Sequence, residues 1–131
     1  SYLTPRLFTH LGIKRPTWET DPLGNSFGAG GLFLTLSELH KFGLFYLHKG
    51  KWNGRQILSE KWIEESTAAA DTSNYGYLFW RGEYNSFRAD GKYSQITMIL
   101  PDKHAVVSLV AECRKGEELM RAVYDLVCAK L

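Results

Sequence analysis

The chain has only two cysteines, Cys113 and Cys128, and four prolines in 131 residues. A disulfide framework normally carries more cysteines at closer spacing, so free thiols and a reducing compartment are expected, although a strand end and a following helix could bring the two together. Long apolar runs are missing as well. None approaches the roughly 18–20 residues of a membrane helix, and no charged-then-apolar leader opens the chain, so no membrane partner is expected. Nor is there an excess of one charge. The net charge of +2, with 23% charged residues of mixed sign, leaves no electrostatic footprint for nucleic acid or an acidic membrane. The densest basic group, Lys49, Lys51 and Arg55, reads as a solvated turn. Internal repeats and low-complexity segments are also lacking. The chain opens on Ser1-Tyr2-Leu3 without an initiator Met, and the expectation is a fragment of a longer protein, its compartment and targeting left open.

What is present suits one domain over residues 1–131 with a modest core, 44% of residues being hydrophobic. Thr4-Pro5 starts a helix, with Thr as cap and Leu3 stapled onto Phe8, and Gly12 stops it. Residues 13–31 read as a long loop, a length that is usually functional or packed over something. Thr35 and Glu38 make a capping box for a helix over about 36–48, and Asn53-Gly54 closes a very short hairpin. Ser59 caps a further helix to about Thr67, and residues 68–74 are the most plausible internal boundary.

Beyond it the apolar period changes to two. Tyr75, Tyr77 and Phe79 alternate as a strand, Phe87 to Leu100 gives the next strand or pair of strands, and Ala105 to Ala111, nearly continuously apolar, reads as a central strand. Short turns make the neighbours antiparallel. A last helix from about Glu117 turns Leu119, Val123, Leu126 or Val127 and Leu131 inward to cover the sheet. The fold class expected is therefore α+β, N-terminal helices and loops followed by an antiparallel sheet packed on a C-terminal helix. Within it, Phe87 to Gln95 reads as a strand whose Gly91 allows something to approach the backbone closely.

Several local patterns tempt a chemical reading. Gly24-Asn25-Ser26-Phe27-Gly28 matches a nucleophile elbow, and Asp90 or Asp102 followed by His104 completes the chain order Ser, Asp, His. An elbow needs a strand before it and a helix directly after, whereas Asp21-Pro22-Leu23 precedes and Ala29-Gly30-Gly31 follows, so a glycine loop is the plainer reading. The same glycines lack the lysine of a phosphate loop and the spacing of a dinucleotide site. His10, His40, His48 and His104 are scattered, only His40 and His48 could share a helix face, and no metal is expected. The four Trp and many Tyr could line a ligand site, but their strand and helix spacing favours core.

The combined strings say more than any one motif. Asp21-Pro22-Leu23-Gly24-Asn25, Gly28-Ala29-Gly30-Gly31-Leu32, Thr35-x-x-Glu38-Leu39-x-x-Phe42-Gly43, Gly50 through Ser59 to Trp62, and Tyr75-Gly76-Tyr77 through Phe79-Trp80 follow one another in order. Together they resemble the serine β-lactamase-like family, which contains class C β-lactamases, DD-peptidases and related esterases. Phe87-Arg88-Ala89-Asp90-Gly91 with Gln95 looks like that family's third active-site motif. The resemblance implies acyl transfer: a Ser of a Ser-x-x-Lys motif attacks a carbonyl while the Lys and a Tyr move protons. It places Ala89, Asp90, Gly91 and Tyr93 at the substrate and makes the backbone N–H of Lys92 a candidate oxyanion donor.

Two departures qualify it. No Ser is followed by Lys three positions on, and no Tyr-x-Asn occurs, so the nucleophile and its base are absent and the chain alone is expected to be inactive. Ala89 stands where many relatives have Lys or His, which removes a cationic anchor and leans toward an ester, amide or peptide substrate over a β-lactam. No cofactor is implied. The other expectation is a non-catalytic binding module that keeps the fold. A third is self-association through an exposed sheet edge.

Overall fold

A computed structural model describes residues 2–131. It has α+β architecture: a four-stranded antiparallel sheet, β5 (Trp80–Arg81), β6 (Phe87–Gly91), β7 (Gln95–Leu100) and β8 (Ala105–Val110), in that spatial order. Helix α1 (Leu36–Leu47) packs on one face against β7 and β8. Helix α3 (Gly116–Leu126) supplies the apolar cover of the other. The smaller elements are the pair β1 (Thr17–Trp18) and β2 (Leu32–Phe33), the hairpin β3 (Lys51–Trp52) and β4 (Arg55–Gln56), and helix α2 (Glu60–Thr67).

β7 explains the arrangement. Its alternate side chains enter two different cores: Ile96, Met98 and Leu100 join Met120, Val123, Tyr124 and Cys128 from the α3 side. Ile99 joins Phe45, Tyr46, Ile63, Phe79 and Phe87 from the α1 side. A strand covered on both faces reads as an unbroken apolar run instead of an alternating one. The α1-side core draws on residues both before and after 68–74, so it runs across that connector.

Local signals place the helices well. Thr35 Oγ1 accepts a hydrogen bond from the Glu38 N–H and the Glu38 carboxylate accepts one from the Thr35 N–H, the reciprocal capping box. Ser59 caps α2 through the Trp62 N–H. Asn53 and Gly54, at φ 47° and 77°, make the two-residue turn between β3 and β4.

Five expectations are corrected. Thr4–Phe8 is a wide, π-type turn in which the Thr9 N–H donates to the Thr4 carbonyl; Leu3 is its first flanking residue and no side chain caps it. The region read as loop contains β1, β2 and a bridge between Thr20 and Ser26. Tyr75–Phe79 is no strand: Leu78 takes φ 67°, the chain folds back so that the Gly76 N–H reaches the Phe79 carbonyl, and only Trp80–Arg81 joins the sheet. β8 is an edge strand, and the interior positions belong to β6 and β7. Apolar side chains on both faces report cover above and below, and they say nothing of the lateral neighbour. The last helix is also rotated by about one residue from its expected phase, with Met120, Val123, Tyr124 and Cys128 inward and Leu126 and Leu131 outward.

Gly43 lets α1 reach the sheet. A Cβ there would run into Thr97 Oγ1 and lie 2.6 Å from Val106 Cγ1. Helix propensity favours Ala over Gly by about 1 kcal/mol, while overpacking costs about 1–3 kcal/mol. Both contacted side chains are β-branched and pinned in the sheet, so overpacking wins. Gly43→Ala is expected to lower the unfolding free energy by about 1 kcal/mol in urea titration; a gain would show that α1 can withdraw freely.

Arg121 on α3 pairs with Glu83 at 2.6 Å and with Asp125 at 2.7 Å. The hydrogen bond from Arg121 holds the Glu83 carboxyl below its ordinary value of 4.5. A depressed carboxylate stabilises the fold above its unfolded pKa, and that contribution disappears as the pH falls through the folded value. All three side chains are about half exposed, so salt screens them. Arg121→Met is therefore expected to lower stability at neutral pH and low salt but to cost little at an acid pH below the folded pKa of Glu83. Equal losses at both pH values would assign the effect to packing.

Candidate functional site

β6 ends at Gly91, which pairs with Gln95 of β7. The Ser94 N–H donates to the Gly91 carbonyl at 3.1 Å, closing a turn of Lys92, Tyr93 and Ser94. The alternation Phe87, Ala89, Gly91, Tyr93 suggests one strand through Gln95, but the strand stops four residues short of it. Tyr93 and Ser94 take φ 64° and 73°, a left-handed conformation that non-glycine residues rarely adopt twice in succession. The ring of Tyr93 stays outside the core, within 5.0 Å of Lys92 Nζ and 5.7 Å of Arg114 Cζ.

Main-chain groups alternate in direction along an antiparallel strand. The Ala111 N–H donates to the Ser94 carbonyl, so Ser94, Ile96, Met98 and Leu100 turn their main-chain groups toward β8. Gln95, Thr97 and Ile99 then turn theirs toward Gly91, Ala89 and Phe87. Arg88, Asp90 and, continuing the alternation, Lys92 direct theirs to the opposite edge of β6. β5 reaches along that edge only as far as Arg88, which is opposite Trp80. From Asp90 onward the edge is open, and among the described residues the Lys92 N–H has no main-chain acceptor.

Side chains close the site on one face. Arg88 Nε donates to Asp90 Oδ2 at 2.9 Å, as two positions apart on a strand permits. That ion pair lines a cleft of about 340 Å³ with Trp80, Ile96 and Met120. Beside it, Asp90, Gly91, Tyr93, Ser94, Cys113 and Arg114 line a cleft of about 380 Å³. Both are at the small end of the range for small-molecule sites. A larger cleft of about 500 Å³, between Tyr46, Ile63 and Arg81, lies at the Phe87 end of β6, away from the turn. Asp90 is neutralised by Arg88, so Lys92 and Arg114 leave the turn positively charged.

The structure thus brings Asp90, Gly91 and Tyr93 into one cleft, with Lys92 on the turn beside them. Ala89 instead packs against the α1-side core. Gly91 owes its lack of a side chain at least to Gln95, whose Oε1 would lie 3.2 Å from an added Cβ. Cys113 and Arg114 escape a reading based on the motif alone, and Arg88 stands in the motif string with no role assigned to it. Arg88-x-Asp90 carries a signal in its spacing, but Cys113 and Arg114 arrive from beyond β8 and only pairing places them here. The other candidates lie elsewhere. Ser26 is in the exposed loop bridged to Thr20. His40 Nδ1 is 2.9 Å from Ser108 Oγ, which in turn is 2.8 Å from Thr97 Oγ1. Cys128 is buried with its Sγ 3.9 Å from Met98 Sδ, and desolvation raises its thiol pKa. Both cysteines are free thiols. No helix of the described residues is long and apolar enough to cross a membrane.

No protein-family model matches the chain, and no curated protein sequence does. A solved structure named "Putative 6-aminohexanoate-dimer hydrolase from Bacillus anthracis" is similar in fold, with a TM-score of 0.85 at 19% sequence identity. The likeness covers 99% of this chain and 38% of that one, so the chain spans well under half the length of its structural neighbour.

Gly91→Ala tests how tightly the turn is set. An added methyl meets Gln95 side-chain and main-chain atoms at 3.2–3.3 Å, and the expected loss is about 1 kcal/mol. Amide resonances of Lys92 to Ser94 should shift together; unchanged resonances would mean that the turn tolerates the methyl without moving.

Proposed function

We propose that this chain is the part of a serine acyl hydrolase with β-lactamase-like fold that carries the oxyanion-side strand, and that sequence outside residues 1–131 supplies the nucleophile and its base. One observation carries the proposal: the Lys92 N–H sits on the open side of β6, without a main-chain acceptor among the described residues, where the third-motif resemblance requires a donor. The likeness to a structure named as a hydrolase supports it, as does the 38% share of that structure which the chain covers.

The chemistry follows from the turn. When a nucleophile adds to an ester or amide carbonyl, the oxygen gains negative charge, and a fixed N–H stabilises that charge without reorganising. Lys92 follows Gly91 directly, so a substrate lying along the open edge beyond Arg88 meets the N–H with no strand between. The positive charges of Lys92 and Arg114 add to the field at that end. Asp90, Gly91 and Tyr93 form the wall. Ala89 contributes to packing beneath it.

Lys92→Pro isolates the donor. Lys92 is the second residue of the turn closed by Gly91 and Ser94, a position where Pro is favoured, and Pro has no N–H. In the complete hydrolase, Lys92→Pro is expected to lower kcat by about 10²–10³-fold while leaving thermal stability nearly unchanged. The 131-residue chain alone is expected to turn over neither nitrocefin nor p-nitrophenyl esters. Turnover by the chain alone, abolished by one Ser→Ala change within it, would overturn the assignment, and so would full activity of Lys92→Pro.

A further inference from the structure

We propose that Arg88 is a positioning residue of the acyl-transfer site: by holding and neutralising the Asp90 carboxylate, it keeps a fixed negative charge from opposing the oxyanion that forms at the Lys92 N–H. This role rests on Lys92 being the oxyanion donor, and it adds to that site a part that no motif in the sequence assigns. Asp90 stands two positions before Lys92, about 7 Å along an extended chain. It lines both clefts that border the turn, one with Gly91 and Tyr93 and the other with Arg88. A bare carboxylate there repels the charge that a carbonyl oxygen gains in the transition state. Its neutralisation therefore matters more to the transition state than to the bound substrate.

Arg88 supplies that neutralisation from within this chain. Its Nε donates to Asp90 Oδ2 at 2.9 Å, and the two side chains are only 18% and 25% exposed, so salt screens the pair less than it screens an open surface pair. Trp80 of β5, Ile96 of β7 and Met120 of α3 wall the same cleft and limit where the guanidinium can sit. Among the described residues no other cation is in ion-pair contact with Asp90. Lys92 and Arg114 lie instead over the ring of Tyr93. Glu117 of α3 lines the cleft with Arg88 and Asp90, so among the described residues that line it the one cation faces two carboxylates. A unit charge at about 7 Å, in an effective dielectric of about 20, is worth about tenfold or more in rate. A role confined to packing would be met equally well by an apolar side chain of similar length.

In the complete hydrolase, acting on an uncharged p-nitrophenyl ester, Arg88→Met is expected to lower kcat by about tenfold and to leave KM nearly unchanged. The uncharged substrate removes any direct attraction to the guanidinium from the measurement. Arg88→Lys keeps the charge and should recover most of the loss. Asp90→Asn, added to Arg88→Met, removes the carboxylate that Arg88 neutralises and should restore most of kcat. The double variant leaves no charge of the pair without its partner, so it carries the test even where Arg88→Met alone fails to fold, as thermal melts of each variant reveal. Parental kcat in Arg88→Met overturns the proposal, and so does a double variant slowed by about tenfold or more. Lys92→Pro separates the two assignments. Full activity there removes the donor and the role of Arg88 with it, whereas slowing by Lys92→Pro with no slowing by Arg88→Met removes the role of Arg88 alone.

Discussion

Burial of β7 on both faces is the constraint from which the remaining structure follows. Ile96, Met98 and Leu100 face one core and Thr97 and Ile99 the other, each essentially inaccessible to water. Such a strand needs cover above and below, and α1 and α3 provide it from opposite ends of the chain. The two cores lie on opposite faces of the sheet, and β7 contributes fully buried residues to both. Gly43 allows the closest approach on one side, and on the same side Thr97, the one polar residue fully buried in β7, is satisfied by Ser108. Ser108 in turn contacts His40, so a short polar chain crosses an otherwise apolar seam without leaving a buried polar atom unpaired.

The candidate site depends on the same strand at one remove. β7 holds β6 in register, and the register determines which main-chain groups of β6 face outward. The turn at Lys92 to Ser94 is then anchored on both sides, by Ser94 to Gly91 and by the bonds from Ala111 and Cys113 to Ser94 and Tyr93. Two consecutive non-glycine residues in the left-handed region persist because these bonds over-determine the turn. A precisely held N–H at a strand end is what electrostatic stabilisation of a carbonyl oxygen requires.

Much of this was legible in the residues. Both helix caps, the Asn-Gly hairpin and the antiparallel order of the later strands rest on contacts only a few residues apart, and they appear where local chemistry puts them. Asp90, Gly91 and Tyr93 were all named from one motif, and they line one cleft. Arg114 and Cys113 were not, because they lie beyond β8 and reach the cleft only through the ladder. Ala89 was named with its neighbours, yet its place in the strand turns it toward the α1-side core. Tyr75 to Phe79 alternates like a strand, but its backbone is bent back on itself by bonds to Ser66 and Phe79 that no periodicity records.

The sequence by itself determined the α+β class, the capped starts of α1 and α2, the Asn-Gly turn and the antiparallel order of the later strands, because each depends on short-range sterics and hydrogen bonding. Only the tertiary structure decided which strand is central, which phase of α3 faces inward, and which main-chain groups are left open. The physical reason is that apolar side chains report burial above and below a sheet, whereas lateral pairing is made by the backbone, and the backbone is chemically the same at nearly every position.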